Sequence, residues 1–156
     1  MEMPISLRQA IETLTEGLES DKIKKHAEQI SHRYRDKNAL RRSAAGTQEA
    51  IVYAVSRMPA TFGAVSAVLQ QTKILNDFHP KTMIDVGSGS GTAVWAAARL
   101  FDFEHILCLE RENAMRCVGQ TLMNNGADFF RTSPVWQEFD LISSPLTQTA
   151  DMVTAS

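Results

Sequence analysis

The chain has 156 residues, of which 44% are hydrophobic and 22% charged, with a net charge of -2. This length fits one domain with a buried core, and the composition is that of an ordinary globular protein. There is no run of about 18 apolar residues and no basic-then-apolar start at Met1-Glu2-Met3-Pro4, so neither a membrane span nor a secretory signal is expected.

The first part of the chain, residues 1–78, reads as helical. Ser6 and Gln9 fit a capping box, followed by Leu7, Ala10, Ile11, Leu14 and Leu18 at helical spacing. Ser20 opens a second helix with Ile23, Ala27, Ile30 and Tyr34 on one face. This stretch is basic: residues 21–42 hold 8 Lys and Arg against 3 Asp and Glu. Arg33, Arg35, Lys37, Arg41 and Arg42 are the candidate RNA-binding residues, because a local cationic excess can face phosphates. A solvated helix face accounts for the same charges equally well. Ser43-Ala44-Ala45-Gly46 reads as a turn, and Thr47 as the cap of a third helix over 48–57 that stops before Pro59. A fourth helix, about 61–73, sends Phe62, Val65, Val68 and Leu69 to the core, and 76–80 is the hinge into the first strand.

Residues 79–156 read as α/β, with a strand at 82–86, a helix at about 92–101, a strand at 105–110 and a helix at about 113–124 closed by Asn124-Asn125-Gly126. Val135-Trp136-Gln137-Glu138-Phe139 is a third strand and Met152-Val153-Thr154-Ala155 a fourth, entered from Asp151. Cys108, within the second strand, reads as a small buried apolar residue. It and Cys117 make neither a metal nor a disulfide framework, and His26, His32, His79 and His105 lack metal-ligand spacing. No metal is expected, and the chain reads as reduced and cytoplasmic.

The chemistry concentrates at the first strand-to-helix turn, Asp85-Val86-Gly87-Ser88-Gly89-Ser90-Gly91-Thr92. Glycines at 87, 89 and 91 let the backbone turn sharply and approach a ligand. The helix behind them offers free N–H groups. Glu110 ends the next strand, where a carboxylate can accept both hydroxyls of a ribose. The dinucleotide fingerprint G-x-G-x-x-G requires glycine at 92, and 92 is Thr. The spacing therefore disfavours a nicotinamide cofactor. Asp85 fits the S-adenosylmethionine version of the turn, where a preceding carboxylate places the methionine part. The candidate cofactor-binding residues are Asp85, Gly87, Gly89, Gly91 and Glu110, with Asp140 at the adenine edge from the third strand.

The chain resembles the methyltransferase-like proteins associated with the small ribosomal subunit of bacteria and mitochondria. Three segments carry the likeness. They are Ser31-His32-Arg33-Tyr34-Arg35, Arg57-Met58-Pro59-Ala60-Thr61-Phe62-Gly63-Ala64-Val65, and the turn from Asp85 to Ala97 with Leu109-Glu110-Arg111 and Ala114-Met115. The resemblance implies a truncated class I methyltransferase sheet (Rossmann-like, parallel) behind an N-terminal helical domain. It also implies S-adenosylmethionine as cofactor and rRNA or the small subunit as partner. Such a sheet usually has seven strands and this chain offers three or four, so the chain is read as a fragment or a natural truncation of a longer protein. The alternative is a non-catalytic assembly factor that docks RNA through its helical domain.

Phe139-Asp140-Leu141-Ile142-Ser143-Ser144-Pro145-Leu146 imitates the N-P-P-Y loop of amino-group methyltransferases but lacks its acceptor Asn and its aromatic. Trp95 is expected to pack on the sheet. Arg111 reads either as a surface residue or as a neighbour of the adenosine. No catalytic residue is assigned, since methyl transfer depends mainly on in-line alignment of donor and acceptor.

Overall fold

The structure, a computed structural model, describes residues 2–18 and 46–155. The predicted second helix and the basic residues Arg33, Arg35, Lys37, Arg41 and Arg42 lie outside the described residues, as does Tyr34.

Four strands, β1 (Thr82–Val86), β2 (His105–Glu110), β3 (Val135–Glu138) and β4 (Met152–Ala155), form one sheet in the order β3-β2-β1-β4. Every pairing is parallel, and each predicted strand is present, β3 one residue shorter than expected. Short β-rich runs bounded by turns form the strands, and parallel neighbours then require helical crossovers. These are α3 (Thr92–Ala98) between β1 and β2, and α4 (Asn113–Asn125) between β2 and β3. Alternation turns Met83, Ile106, Cys108 and Met152 towards the helices, where they share one core with Val94, Trp95, Val118 and Leu122. Ile84, Leu107, Val135 and Val153 sit on the opposite face, and there Val135 and Val153 are exposed.

Helices α1 (Ile5–Thr15) and α2 (Thr47–Asn76) pack on α3 and α4 rather than on the sheet. Leu7 and Ala10 are buried as expected. Ser6 is not a cap: the helix starts at Ile5 after Pro4, and no side chain caps it.

The larger departure is at Pro59. The predicted third and fourth helices are one 30-residue helix with Pro59 inside it, begun at Gly46 rather than capped by Thr47. An interior proline costs about 3 kcal/mol through its missing N–H and its clash with the preceding turn. A single stripe, Ala50, Ala54, Met58, Phe62 and Leu69, is buried along the whole length. Burying Met58 and Phe62 on either side of the proline contributes about 1.5–3 kcal/mol each, enough to carry the helix through. Continuity also fixes the phase. Ser66 takes the inward position and Val68, expected in the core, is 65% exposed. The fused helix is long and apolar enough, by length and composition, to cross a membrane, which the separate predicted helices were not. Here its apolar stripe packs in the protein core.

The join to the sheet is polar and aromatic. Lys73 donates to the Leu100 carbonyl and lies over the Phe101 ring, 5.5 Å from its centroid. Gly126 closes α4 without the left-handed conformation usual at such a cap, its N–H donating to the Leu122 carbonyl at 3.1 Å. Glycine is needed there for packing, because an added Cβ would lie 2.5 Å from the Trp95 ring.

Candidate functional site

The site is built at the carboxyl ends of the parallel strands, where the chain leaves β1 and turns into α3. Gly87, Gly89 and Gly91 have φ of 68°, 53° and 81°. Side chains other than hydrogen are strained there, so all three glycines are required by conformation. The turn is fastened to β2. The N–H groups of Gly87 and Ser88 both donate to the Leu109 carbonyl, at 2.8 and 3.0 Å. Gly91 N–H donates to the Ser88 carbonyl, and the buried Ser88 hydroxyl donates to the Asp85 carbonyl at 2.8 Å.

Glu110 ends β2 directly beside this turn and is buried. Its Oε2 accepts the Gly89 N–H at 2.8 Å, and its Oε1 the Glu112 N–H at 2.8 Å. A carboxylate has about four acceptor sites, so each oxygen keeps one for a hydroxyl group. Glu110 thus braces the glycine turn and keeps acceptor capacity on both oxygens.

Asp85 lies beneath the turn and is fully buried. Its Oδ1 accepts the Thr154 hydroxyl from β4 at 2.6 Å. Its Oδ2 is buried with no hydrogen-bond partner among the described residues. Loss of hydration raises its pKa to about 6. The Thr154 and Ser88 hydroxyls oppose that rise, and the Glu110 charge adds to it. The carboxylate is therefore ionised at neutral pH with one acceptor oxygen unmatched, an arrangement suited to a donor that carries positive charge. Cys108, across the strand pair, is buried as expected, and burial pushes its thiol far above the usual range.

The three glycines are not equivalent. A Cβ on Gly89 would meet Met115 Cε at 3.5 Å, an ordinary van der Waals contact that a small side chain could make. A Cβ on Gly91 would lie 2.4 Å from Met123 Cε and 3.3 Å from the Trp136 ring. Gly91 therefore faces the core, and its role is to let α3 start against Trp136. Gly119 on α4 does the same from the other side, with an added Cβ 2.2 Å from that ring. Trp95, expected to pack on the sheet, is buried and stacks on Phe129 at 5.0 Å and edge-on to Phe130 at 4.5 Å, in the segment that follows α4.

Asp140 follows β3, on the far side of Glu110. The Phe139 N–H donates to the Glu110 carbonyl at 3.3 Å, and Asp140 Oδ1 accepts the Ile142 N–H at 3.0 Å in a turn. That turn leads into Ser143-Ser144-Pro145-Leu146, which is largely exposed and lies after β3 at the sheet edge. Arg111 pairs with Glu112 at 3.1 Å on the surface.

Two residues of this region carry no clear signal in the sequence. Arg116 donates to the carbonyls of Glu110 and Arg111 at 2.7 Å each and to Glu138 Oε2 at 2.9 Å, tying α4 to the ends of β2 and β3. Thr154 is the other. A hydroxyl in an otherwise apolar predicted strand, set opposite Asp85 by the strand order, is the one hint of its role.

The class of protein follows from these features. A β3-β2-β1-β4 parallel sheet, a glycine turn after β1 and an acidic residue closing β2 define a Rossmann-like α/β domain. Residues 47–156 match the family described as mitochondrial small ribosomal subunit Rsm22, and the chain belongs to that family. The human mitochondrial ribosome assembly protein METTL17 is 31% identical over 81 residues, covering 50% of this chain and 18% of that protein. The chain therefore spans under a fifth of that relative's length. Among solved structures, it is similar to a proposed RNA methyltransferase of Pyrococcus horikoshii, 22% identical over 60% of this chain and 44% of the other, with a TM-score of 0.47. It is also similar to CalS10, an amino pentose methyltransferase of Micromonospora echinaspora solved with SAM bound. That match is 20% identical over 61% of this chain and 36% of the other, with a TM-score of 0.45.

Proposed function

We propose that the chain forms the cofactor-binding half of an S-adenosylmethionine-dependent, methyltransferase-like protein that works on or near small-subunit rRNA during ribosome assembly. The observation that carries the cofactor reading is the Asp85–Glu110 pair around the glycine turn. Glu110 holds free acceptor sites for a ribose diol, and Asp85 keeps a buried oxygen for the ammonium of the amino-acid tail. Gly89 supplies the close approach between them. Asp140, in the turn that follows β3, is assigned the adenine edge in this reading. The cofactor supplies a methyl group on a sulfonium, and the chain's own task is to hold and orient it. The rRNA partner is inferred from family membership and from the basic stretch holding Arg33, Arg35, Lys37, Arg41 and Arg42.

A second reading is a non-catalytic assembly factor that keeps the cofactor fold. Two observations favour it: the related human protein is described as a ribosome assembly protein, and the segment imitating an acceptor loop is an exposed turn without the acceptor side chain. The compartment is that of the ribosome served. The family and the human relative are described as mitochondrial, and a cytoplasmic placement applies where the ribosome is bacterial.

Calorimetric titration with S-adenosylhomocysteine, with NADH as control, tests the cofactor reading. Saturable binding of the first alone is expected, with loss of at least tenfold in Glu110→Ala, since hydrogen bonds to a charged group are worth about 1.5–3 kcal/mol. Binding of NADH instead, or indifference to Glu110→Ala, would overturn it.

A further inference from the structure

We propose that Thr154 is a positioning residue of the cofactor site: from β4 its hydroxyl holds one oxygen of the Asp85 carboxylate, leaving the other for the ammonium group of the cofactor's amino-acid tail. The inference rests on the cofactor reading above.

The register of the sheet brings the pair together. β4 lies beside β1, and Thr154 is the Cα partner of Asp85. The 2.6 Å hydrogen bond ties these two side-chain rows directly. It fixes the carboxyl rotation, because Oδ1 is committed and Oδ2 must then take the remaining direction. Oδ2 is buried and unmatched among the described residues, and a buried acceptor without a donor is costly.

Among the described residues, the groups that face the carboxylate do not supply a cation. β2 contributes the Cys108 thiol, held neutral by burial, and the Glu110 carboxylate. The turn contributes the Ser88 hydroxyl, which donates to the Asp85 carbonyl. Helix α3, with the sequence TAVWAAA, carries no titratable side chain. The one cation of α4, Arg116, is engaged with the ends of β2 and β3. A compact cation with several N–H donors, entering from the glycine turn, completes the set. An α-ammonium group has that chemistry.

Thr154 also keeps the carboxylate charged. Its hydroxyl opposes the upward push of burial on Asp85. Removing it should raise the pH at which the ammonium site is lost.

The test uses the full chain as wild type, Thr154→Val and Thr154→Ser. Valine keeps the shape and the strand preference, and serine keeps the hydroxyl. Two probes are titrated between pH 5.5 and 8: S-adenosylhomocysteine, and 5′-methylthioadenosine, which lacks the amino-acid tail. The Asp85 carboxyl carbon is followed by NMR without ligand. In Thr154→Val, S-adenosylhomocysteine is expected to weaken about tenfold at pH 6.5, the lower end of what a hydrogen bond to a charged group is worth. 5′-Methylthioadenosine should be unaffected. The carboxyl titration should move up by about one pH unit, and Thr154→Ser should restore both. Equal weakening of both probes would mark a merely structural role and overturn the proposal, as would an unmoved carboxyl titration. If wild type binds neither probe, the cofactor reading and the ammonium role fall together, while the NMR titration still decides whether Thr154 holds the carboxylate.

Discussion

Strands β1 and β4 are joined at both ends by an aspartate and a threonine, and the two joints have opposite character. At the carboxyl end, Thr154 meets Asp85 in a buried setting where one carboxylate oxygen has no partner. At the amino end the roles are exchanged between the strands. Asp151 Oδ2 accepts from the Lys81 N–H, the Thr82 N–H and the Thr82 hydroxyl at 2.8, 2.9 and 3.0 Å, in full contact with solvent. The same residue types thus give one carboxylate whose pKa is raised and one whose pKa is lowered. Desolvation decides the first, and backbone N–H donors decide the second. The exposed joint commits one carboxylate oxygen to three donors at the start of the neighbouring strand, leaves the other side to solvent and serves the fold. The buried one leaves a valence open and stores destabilisation that a ligand can relieve.

The largest expected effect breaks the buried joint. The Asp85 pKa rises from 3.8 to about 6 on folding. A raised carboxyl pKa means that its stabilising contribution is full below the unfolded value and is lost as pH climbs through the folded one. A shift of about two units is worth about 3 kcal/mol at 1.36 kcal/mol per unit. Asp85→Asn should therefore stabilise the ligand-free protein at pH 7 by up to about 3 kcal/mol and abolish the stability slope between pH 4 and 6. The same variant should lose S-adenosylhomocysteine binding. Urea unfolding at a series of pH values checks the first part; an unchanged slope would show that Asp85 is not the group responsible.

A smaller effect separates the two glycines of the turn. Gly91→Ala meets both an unfavourable φ and a collision with Met123 and Trp136, and should cost about 2 kcal/mol or more in unfolding free energy. Gly89→Ala meets the φ penalty of about 1 kcal/mol and no collision, since its Cβ would make only an ordinary 3.5 Å contact with Met115 Cε. In ligand binding the order should reverse, with Gly89→Ala the more damaging. Paired unfolding and calorimetric curves for both variants would reveal whether the Gly89 side of the turn is the ligand side.

How much of this is legible in the sequence depends on the range of the interaction. The strands, the turn and Glu110 are readable because each comes from neighbours in the chain: β-rich runs, glycine spacing and one acidic residue at a strand end. The helix through Pro59 is not, since the local proline rule is overridden by burial of Met58 and Phe62 against elements that come later in the chain. The packing role of Gly91 is hidden for the same cause. Its neighbour in space is Trp136, which sequence alone does not place. Arg116 and Thr154 depend on strand order. Only once β4 is known to lie beside β1 does a threonine at 154 face Asp85, 69 residues away.

The smallest effect tests the exposed joint. Asp151→Ala removes three accepted hydrogen bonds at the start of β4, and the Asp151 N–H loses nothing because it donates to Thr82 Oγ1 through its own backbone, at 2.8 Å. The strand stays paired to β1 along Met83–Val86, so the change should lower Tm modestly and leave ligand affinity as it was. The pH sign is the reverse of that for Asp85. A lowered pKa gives a contribution present above the unfolded value and lost as acid drives the carboxylate through its folded value, below 3.8. Both variants should therefore converge with wild type at strongly acidic pH. Towards neutral pH, Asp151→Ala should fall below wild type in stability and Asp85→Asn should rise above it. Thermal unfolding of all three proteins from acid to neutral pH distinguishes the joints directly. If Asp151→Ala instead weakens S-adenosylhomocysteine as strongly as Thr154→Val does, the two ends of the β1–β4 pair are mechanically coupled and the division between a folding joint and a binding joint fails.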